Sequence, residues 1–544
     1  MLNIVRKSIA VLALFLAFTV LLRGGEERHA PIPGFHTSDR CVACHNGMKT
    51  KLGEDYSIGV DWRASIMANS SRDPYWQGSV RRETIDHPSA SAEIQNECSR
   101  CHMPMAYYEA HLQGKKSEVF SHLPFDPDKR ADAMAADGVS CSICHQISKQ
   151  NLGTRASFVG NFIIDPPDAQ GQHAEHGPFD IDAGHQRVMK SSTGGFVPSE
   201  AAHIRDSELC ATCHTLYTTA LGKNGEAIGS LPEQMPFLEW KHSDYPAKKY
   251  SCQSCHMPEV QGETPITAVF GALRQGARHH SFVGANFFMQ RILSNFRQDL
   301  SVTALAEELN SAAEKTVNFL QTQSTRVSIR KVEAGQGKLH VDVLVENLTG
   351  HKLPTAYPSR RAWLHVVIRD RAGNIVFESG ALNADGSIKG NDNDADPARF
   401  EPHYREITSG DQVQIYESIL KDQEGRVTTG LLTAVEYIKD NRLLPSGFDK
   451  SSADKDIKVV GDAAEDPNFT DRGSVVRYSV PVDLSAAPFR IEAELWYEPI
   501  GFRWARNLAA YSEKEPQRIV SYYDALASRA AVMLTKADMS LARR

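Results

Sequence analysis

The sequence predicts an α+β multidomain chain: a mostly helical and loop-built first part, then an all-β immunoglobulin-like sandwich with a C-terminal helix. Three observations predict it. All ten cysteines lie between residues 41 and 255. A helical period of apolar residues sets in near residue 300. Beyond residue 325, short apolar/polar alternations separated by turn signals take over. At 544 residues the chain exceeds one ordinary core, which implies two or three domains.

Residues 1–30 read as a signal peptide or N-terminal anchor. Arg6 and Lys7 precede an apolar or small stretch from Ile9 to Leu22, the length of a secretory h-region and short of a membrane span. Leu21-Leu22-Arg23 stands where a small-x-small cleavage site belongs, so an uncleaved anchor stays open. The expected location is periplasmic or cell surface, with membrane contact only through such an anchor. The formal charge is -7, from 60 basic and 67 acidic residues, and no long basic run occurs, which argues against nucleic acid as a partner.

Residues 31–298 hold one motif five times: Cys41-x-x-Cys44-His45, Cys98-x-x-Cys101-His102, Cys141-x-x-Cys144-His145, Cys210-x-x-Cys213-His214 and Cys252-x-x-Cys255-His256. C-x-x-C-H is the c-type haem attachment signature. Its two thiols form thioethers with the porphyrin vinyls, and the next histidine reaches the iron as proximal ligand. Zinc ribbons pair their C-x-x-C motifs, which five do not allow, and would leave each histidine unexplained. Disulfides impose neither the two-residue gap nor the histidine. Five covalently bound haem c groups are therefore expected. A weaker duplication runs alongside, since Cys101 and Cys255 both continue as Cys-His-Met-Pro, each after a W-x-x-S segment: Trp62 to Ser65 and Trp240 to Ser243.

Low-spin haems need a second axial ligand, usually His or Met. His280, ahead of Phe282 and Gly284, is the leading choice over its neighbour His279. His185 and His203 are further candidates, and Met67, in a segment expected to form a short helix, would raise the potential of its haem. His173 and His176 read as loop residues in a Pro/Gly-rich stretch, and His87, His111 and His122 as surface.

These motifs, with "SELCATCH" and "CQSCHMP", resemble the multihaem cytochromes c related to hydroxylamine oxidoreductase and its tetrahaem electron-acceptor cytochrome, over roughly residues 36–300. The resemblance implies haems packed in close stacked or perpendicular pairs on helices and long loops. In that family the W-x-x-S-x segment often continues with an axial histidine; here Met67 and Tyr245 stand at those positions.

Residues 299–324 read as an amphipathic connector helix, with Val302, Leu305, Leu309, Ala313, Val317 and Leu320 at helical spacing. Residues 325–544 read as the sandwich domain, with strands around Val327, Leu339 to Val345, Leu364 to Ile368, Val413 to Ile419, Val475 to Val480 and Phe489 to Trp496, and with residues 521–544 as a closing helix. Asp392 and Asp394 sit in an acidic loop that suggests Ca2+, although it lacks the EF-hand glycine and glutamate. In "ENLTGHKLPTAYPSRR" (346–361), His351 lies in a turn, and similar loops occur in the cysteine-free domains of related multihaem cytochromes. With irons outnumbering secure ligands, His351 is expected to cross to a haem, and Arg360 and Arg361 to meet propionates.

The leading functional expectation is an exported pentahaem electron carrier with redox proteins, other cytochromes among them, as partners. Two rivals stand beside it: an oxidoreductase acting on a small nitrogen or sulfur compound at a five-coordinate haem, and a subunit docked by its sandwich into an extracellular conduit or filament.

Overall fold

The computed structural model describes residues 34–542; the expected leader, residues 1–30, lies outside them. No described helix is long and apolar enough to cross a membrane.

The cysteine-rich part is short helices and loops with small two-stranded sheets. Helix Pro74–Asp86 begins sharply because Pro74 opens it and the Asp73 carboxylate accepts from Tyr75 and Trp76 N–H. Strand His173–Gly177 pairs in parallel with Phe196–Glu200, so the stretch read as a Pro/Gly loop is ordered. The segment around Trp62 is helical only over Ile58–Arg63 and then turns. The connector helix starts later than its period suggests, at Ala306–Gln323. Leu305 stays exposed, while Leu309, Ala313 and Leu320 are buried against helix Phe287–Asn295.

Beyond it, two five-stranded sheets share one core. The first has the order Ile375–Ser379, Arg361–Arg369, Phe489–Glu498, Val532–Leu541, with Ile415–Tyr416 also on Arg361–Arg369. The second runs Glu406–Ile407, Gly473–Pro481, Lys338–Asn347, Thr325–Gly335, with Phe469–Thr470 on Gly473–Pro481. The period of two is plain in Leu339, Val341, Val343 and Val345, which face Leu364, Val366, Ile368, Ile491, Ala493 and Leu495 in one buried cluster. Each of these Val, Leu and Ile side chains contributes at most about 1.5–3 kcal/mol.

The expected closing helix over 521–544 holds only at its start. Lys514–Leu526 is helical, but Val532–Leu541 is a strand paired antiparallel with Phe489–Glu498. Without it that central strand would present an open edge, and sheet pairing overrides local propensity.

The calcium expectation is corrected. Asp394 accepts from Arg361 Nη1 at 2.7 Å and from Ile388 N at 2.8 Å, Asp392 pairs with Arg399, and no metal-holding cluster occurs among the described residues. The loop carboxylates are spent on protein donors.

Candidate haem-binding site

A cavity of about 1490 Å³ runs through the cysteine-rich half and against loops at one end of the two five-stranded sheets, beyond the roughly 300–1,000 Å³ of ordinary ligand pockets. Its wall carries Sγ-bearing residues of all five motifs and all five motif histidines. The local reason is helical spacing: positions i, i+3 and i+4 share one face, and the motifs sit on or beside the short helices Asp39–Val42, Ser91–His102, Cys141–Gln146, Ser207–Ala211 and Cys252–His256. All ten cysteines are free thiols.

Four of the five motif histidines are oriented as metal ligands need to be. A carbonyl only accepts, so an imidazole Nδ1 facing one carries its hydrogen there and turns an unprotonated Nε2 the other way. His45 Nδ1 donates to Ile266 O at 2.6 Å, His102 to Ser70 O at 3.0 Å, His145 to His176 O at 2.6 Å, and His256 to Val283 O. Outside the motifs, His280 donates to Arg278 O at 3.0 Å and His351 to Lys352 O at 2.9 Å. Burial lowers all of these, and His102, His214, His280 and His351 fall to about 4. They are held neutral, the form that binds iron.

Two pairs face each other across the cavity. His280 lies with its ring centre 6.5 Å from that of His145 and 20° from parallel; His351 lies 6.3 Å from His256 at 10°. Two imidazoles sharing one metal, each nitrogen about 2.0–2.1 Å from it, have ring centres roughly 6–6.5 Å apart. The residues therefore fit the group that the motifs imply.

Neighbouring motifs also meet. The thiols of Cys41 and Cys141 perturb each other, as do those of Cys101 and Cys213, and of Cys210 and Cys252; Cys144 acts on both Cys210 and Cys213. Motif four thus lies next to motifs two, three and five, and motif one next to motif three.

Other candidates are placed differently. Met67 is half-buried on the cavity wall. His185 is turned away: its Nδ1 contacts Asp182, its Nε2 lies 2.6 Å from Phe270 O, and these contacts raise its pKa. An imidazole with both nitrogens engaged and a preference for the cation is no ligand, so that expectation is revised. His203 is off the wall, with Nε2 at 2.8 Å from Ile147 O, and is revised likewise. Arg360 reaches the wall, but Arg361 is buried between Asp394 and Glu498 at 2.7 and 2.8 Å, not beside a propionate. His176, read from sequence as a loop residue, is on the wall with both ring nitrogens buried and without a hydrogen bond, Nε2 lying 3.8 Å from Asp165 Oδ2. Its only sequence signal was being one of 21 histidines. Tyr245, two residues past Ser243, donates to Leu348 O at 2.6 Å and so braces the loop that carries His351.

No family model matches the chain, and no curated protein matches it. Among solved structures it is similar to a penta-heme cytochrome c552 from Thermochromatium tepidum, at 14% sequence identity and a TM-score of 0.51, over 94% of this chain and 100% of that one. At that identity the likeness is one of fold, a multihaem cytochrome c fold, and it extends over both halves of the chain.

Proposed function

We propose that the chain is an exported pentahaem c-type cytochrome that passes electrons between redox proteins. When bound, the haems supply the one-electron chemistry. The protein would hold them through the ten motif cysteines and His45, His102, His145, His214 and His256. His280 and His351 would help hold two of them as further iron ligands, and the facing pairs His145/His280 and His256/His351 are the observation that carries this reading. Contact of motif four with motifs two, three and five favours a branched array with motifs one, two and five at its ends. In this reading the sandwich is an integral part that delivers a ligand, which speaks against its being only a docking appendage.

A haemochrome assay with intact mass on the holoprotein tests the count: five haems per chain are expected. Electron paramagnetic resonance should show at least two low-spin bis-histidine centres, and their absence would sink the ligand assignment.

A second reading rests on a separate observation. Among the described residues, no imidazole faces His45, His102 or His214 as His280 and His351 face their partners. The wall offers His176, Met67, Met189 and Met257 for those positions. If one iron stays five-coordinate, the protein acts on a small nitrogen or sulfur compound there. High-spin ferric signal that cyanide converts to low-spin supports this enzyme reading, and a wholly low-spin, cyanide-insensitive holoprotein dismisses it.

A further inference from the structure

Beside His351, the next residue in the chain enters a buried four-charge network that joins the two halves. Lys352, Asp440 and Arg442 come from the sandwich half, and Glu239 comes from helix Pro236–Lys241, between the fourth and fifth motifs. All four are at most 7% exposed. Lys352 Nζ lies 2.7 Å from Asp440 Oδ2 and 3.2 Å from Lys458 O. Arg442 clasps the same carboxylate through Nε at 2.8 Å and Nη2 at 2.7 Å. Its Nη1 reaches Glu239 Oε1 at 3.0 Å, an ion contact rather than an aligned hydrogen bond. Glu239 Oε2 accepts from Lys352 N at 3.2 Å and from Thr355 Oγ1 at 2.5 Å. It thereby grips the loop on both sides of Leu353 and Pro354.

A network of two cations and two anions, buried together, is a costly way to add stability, because desolvation offsets most of the attraction. What it supplies is register: each charge has a place only when the others are in theirs. The backbone repeats the constraint, since Leu353 and Leu443 exchange N–H to O bonds of 2.9 Å in both directions. His351 is thus one residue away from a point fixed by the half that also carries His256.

We infer that Glu239 is a positioning residue for His351: its carboxylate, fixed by Arg442, sets the loop that carries the imidazole facing His256. This inference rests on the reading of His351 as an axial ligand of the fifth motif's haem. Loss of the carboxylate frees Lys352 N and Thr355 Oγ1 together and leaves Arg442 Nη1 without its anion, so the loop loses its hold on the cytochrome half.

The experiment uses full-length holoprotein and three substitutions. His351→Ala tests the underlying reading, and Glu239→Ala and Glu239→Gln test the positioning. Expected for Glu239→Ala is conversion of one low-spin haem to a mixture with high-spin, reversed by added imidazole, with a shifted midpoint potential for that haem alone. Glu239→Gln keeps an acceptor for Lys352 N and Thr355 Oγ1, so it should shift the potential less and remain mostly low-spin. It also keeps the test alive if the alanine variant yields no holoprotein. Glu498→Gln, in the separate buried pair with Arg361, serves as the control for a merely structural loss and should leave every haem signal in place. If His351→Ala loses a low-spin haem while both Glu239 variants keep wild-type spectra and potentials, the positioning role is overturned. If His351→Ala itself changes nothing, the ligand reading falls and the inference falls with it.

Discussion

An imidazole serves an iron only when neutral and aimed, and His351 meets both conditions through its surroundings. Burial lowers its pKa to about 4, and the Lys352 carbonyl takes its Nδ1 hydrogen. Replacing His351 with alanine should convert one low-spin haem to high-spin, read by resonance Raman or magnetic resonance on the holoprotein. A second residue-scale expectation concerns Glu83. Burial raises its carboxyl from 4.5 to about 7; Leu431 N donates to Oε1 at 2.8 Å, while Oε2 is buried without a hydrogen bond, 4.0 Å from His87 Nε2. It also acts on the Cys98 thiol, after burial and Glu233. Negative charge favours the ferric form, so the second haem's midpoint potential should fall as pH rises through about 7, and Glu83→Gln should abolish that step. The sign for stability follows from the same shift. Between 4.5 and 7 the folded chain keeps a proton that the unfolded chain releases, so stability falls as pH rises through that window and levels off above it. In the sequence, His351 and His185 each follow a glycine and look alike. What separates them is tertiary: one meets a carbonyl and a facing imidazole, the other Asp182 and Phe270. No local pattern records that.

At the scale of elements, the loop between strands Lys338–Asn347 and Arg361–Arg369 is shaped from both sides. Asn347 Nδ2 donates to His351 O at 2.7 Å and Leu443 O at 3.0 Å, and its Oδ1 accepts from Thr349 N at 2.8 Å. Opposite, Gly350 lies so close to the cytochrome half that a Cβ there would stand 3.0 Å from the Tyr245 ring and 3.3 Å from Trp240. Gly350→Ala must therefore push the loop off by a few tenths of an ångström. It should cost about 1–3 kcal/mol by overpacking and raise the high-spin fraction of one haem, measured by denaturant titration and spectroscopy on the same sample. Elements of this kind were legible where the pattern is local. C-x-x-C-H spacing and alternation such as Leu339, Val341, Val343 show in any window of a few residues. The strand Val532–Leu541 was not legible, because its partner Phe489–Glu498 lies a helix away. The start of helix Ala306–Gln323 was missed for a related reason: Leu305 keeps the period but ends up exposed.

For the whole molecule the cavity decides the energetics. Its roughly 1490 Å³ is walled by apolar side chains together with the motif cysteines and histidines, a wall that packs only when the haems fill it. Haem loss would strip that wall of its packing partners, so the fold should depend on the haems. Nor is the damage confined to the cysteine-rich half. One hydrophobic cluster runs from Ala64, Tyr75 and Phe287 through Leu309 to Val343, Leu495 and Leu534, and Arg63 pairs with Glu308 while Arg81 pairs with Glu515 at 2.9 Å. The sheets and the cytochrome half thus share a core and should lose it together. Holoprotein should melt in one transition, with the Soret band, far-UV circular dichroism and tryptophan fluorescence coincident. A variant with all ten cysteines changed to serine should give no cooperative transition and be cut by protease throughout, sandwich included. A resistant fragment beginning near residue 325, or a second melting step at higher temperature, would show instead that the sheets stand alone and that His351 reaches across from an independent body.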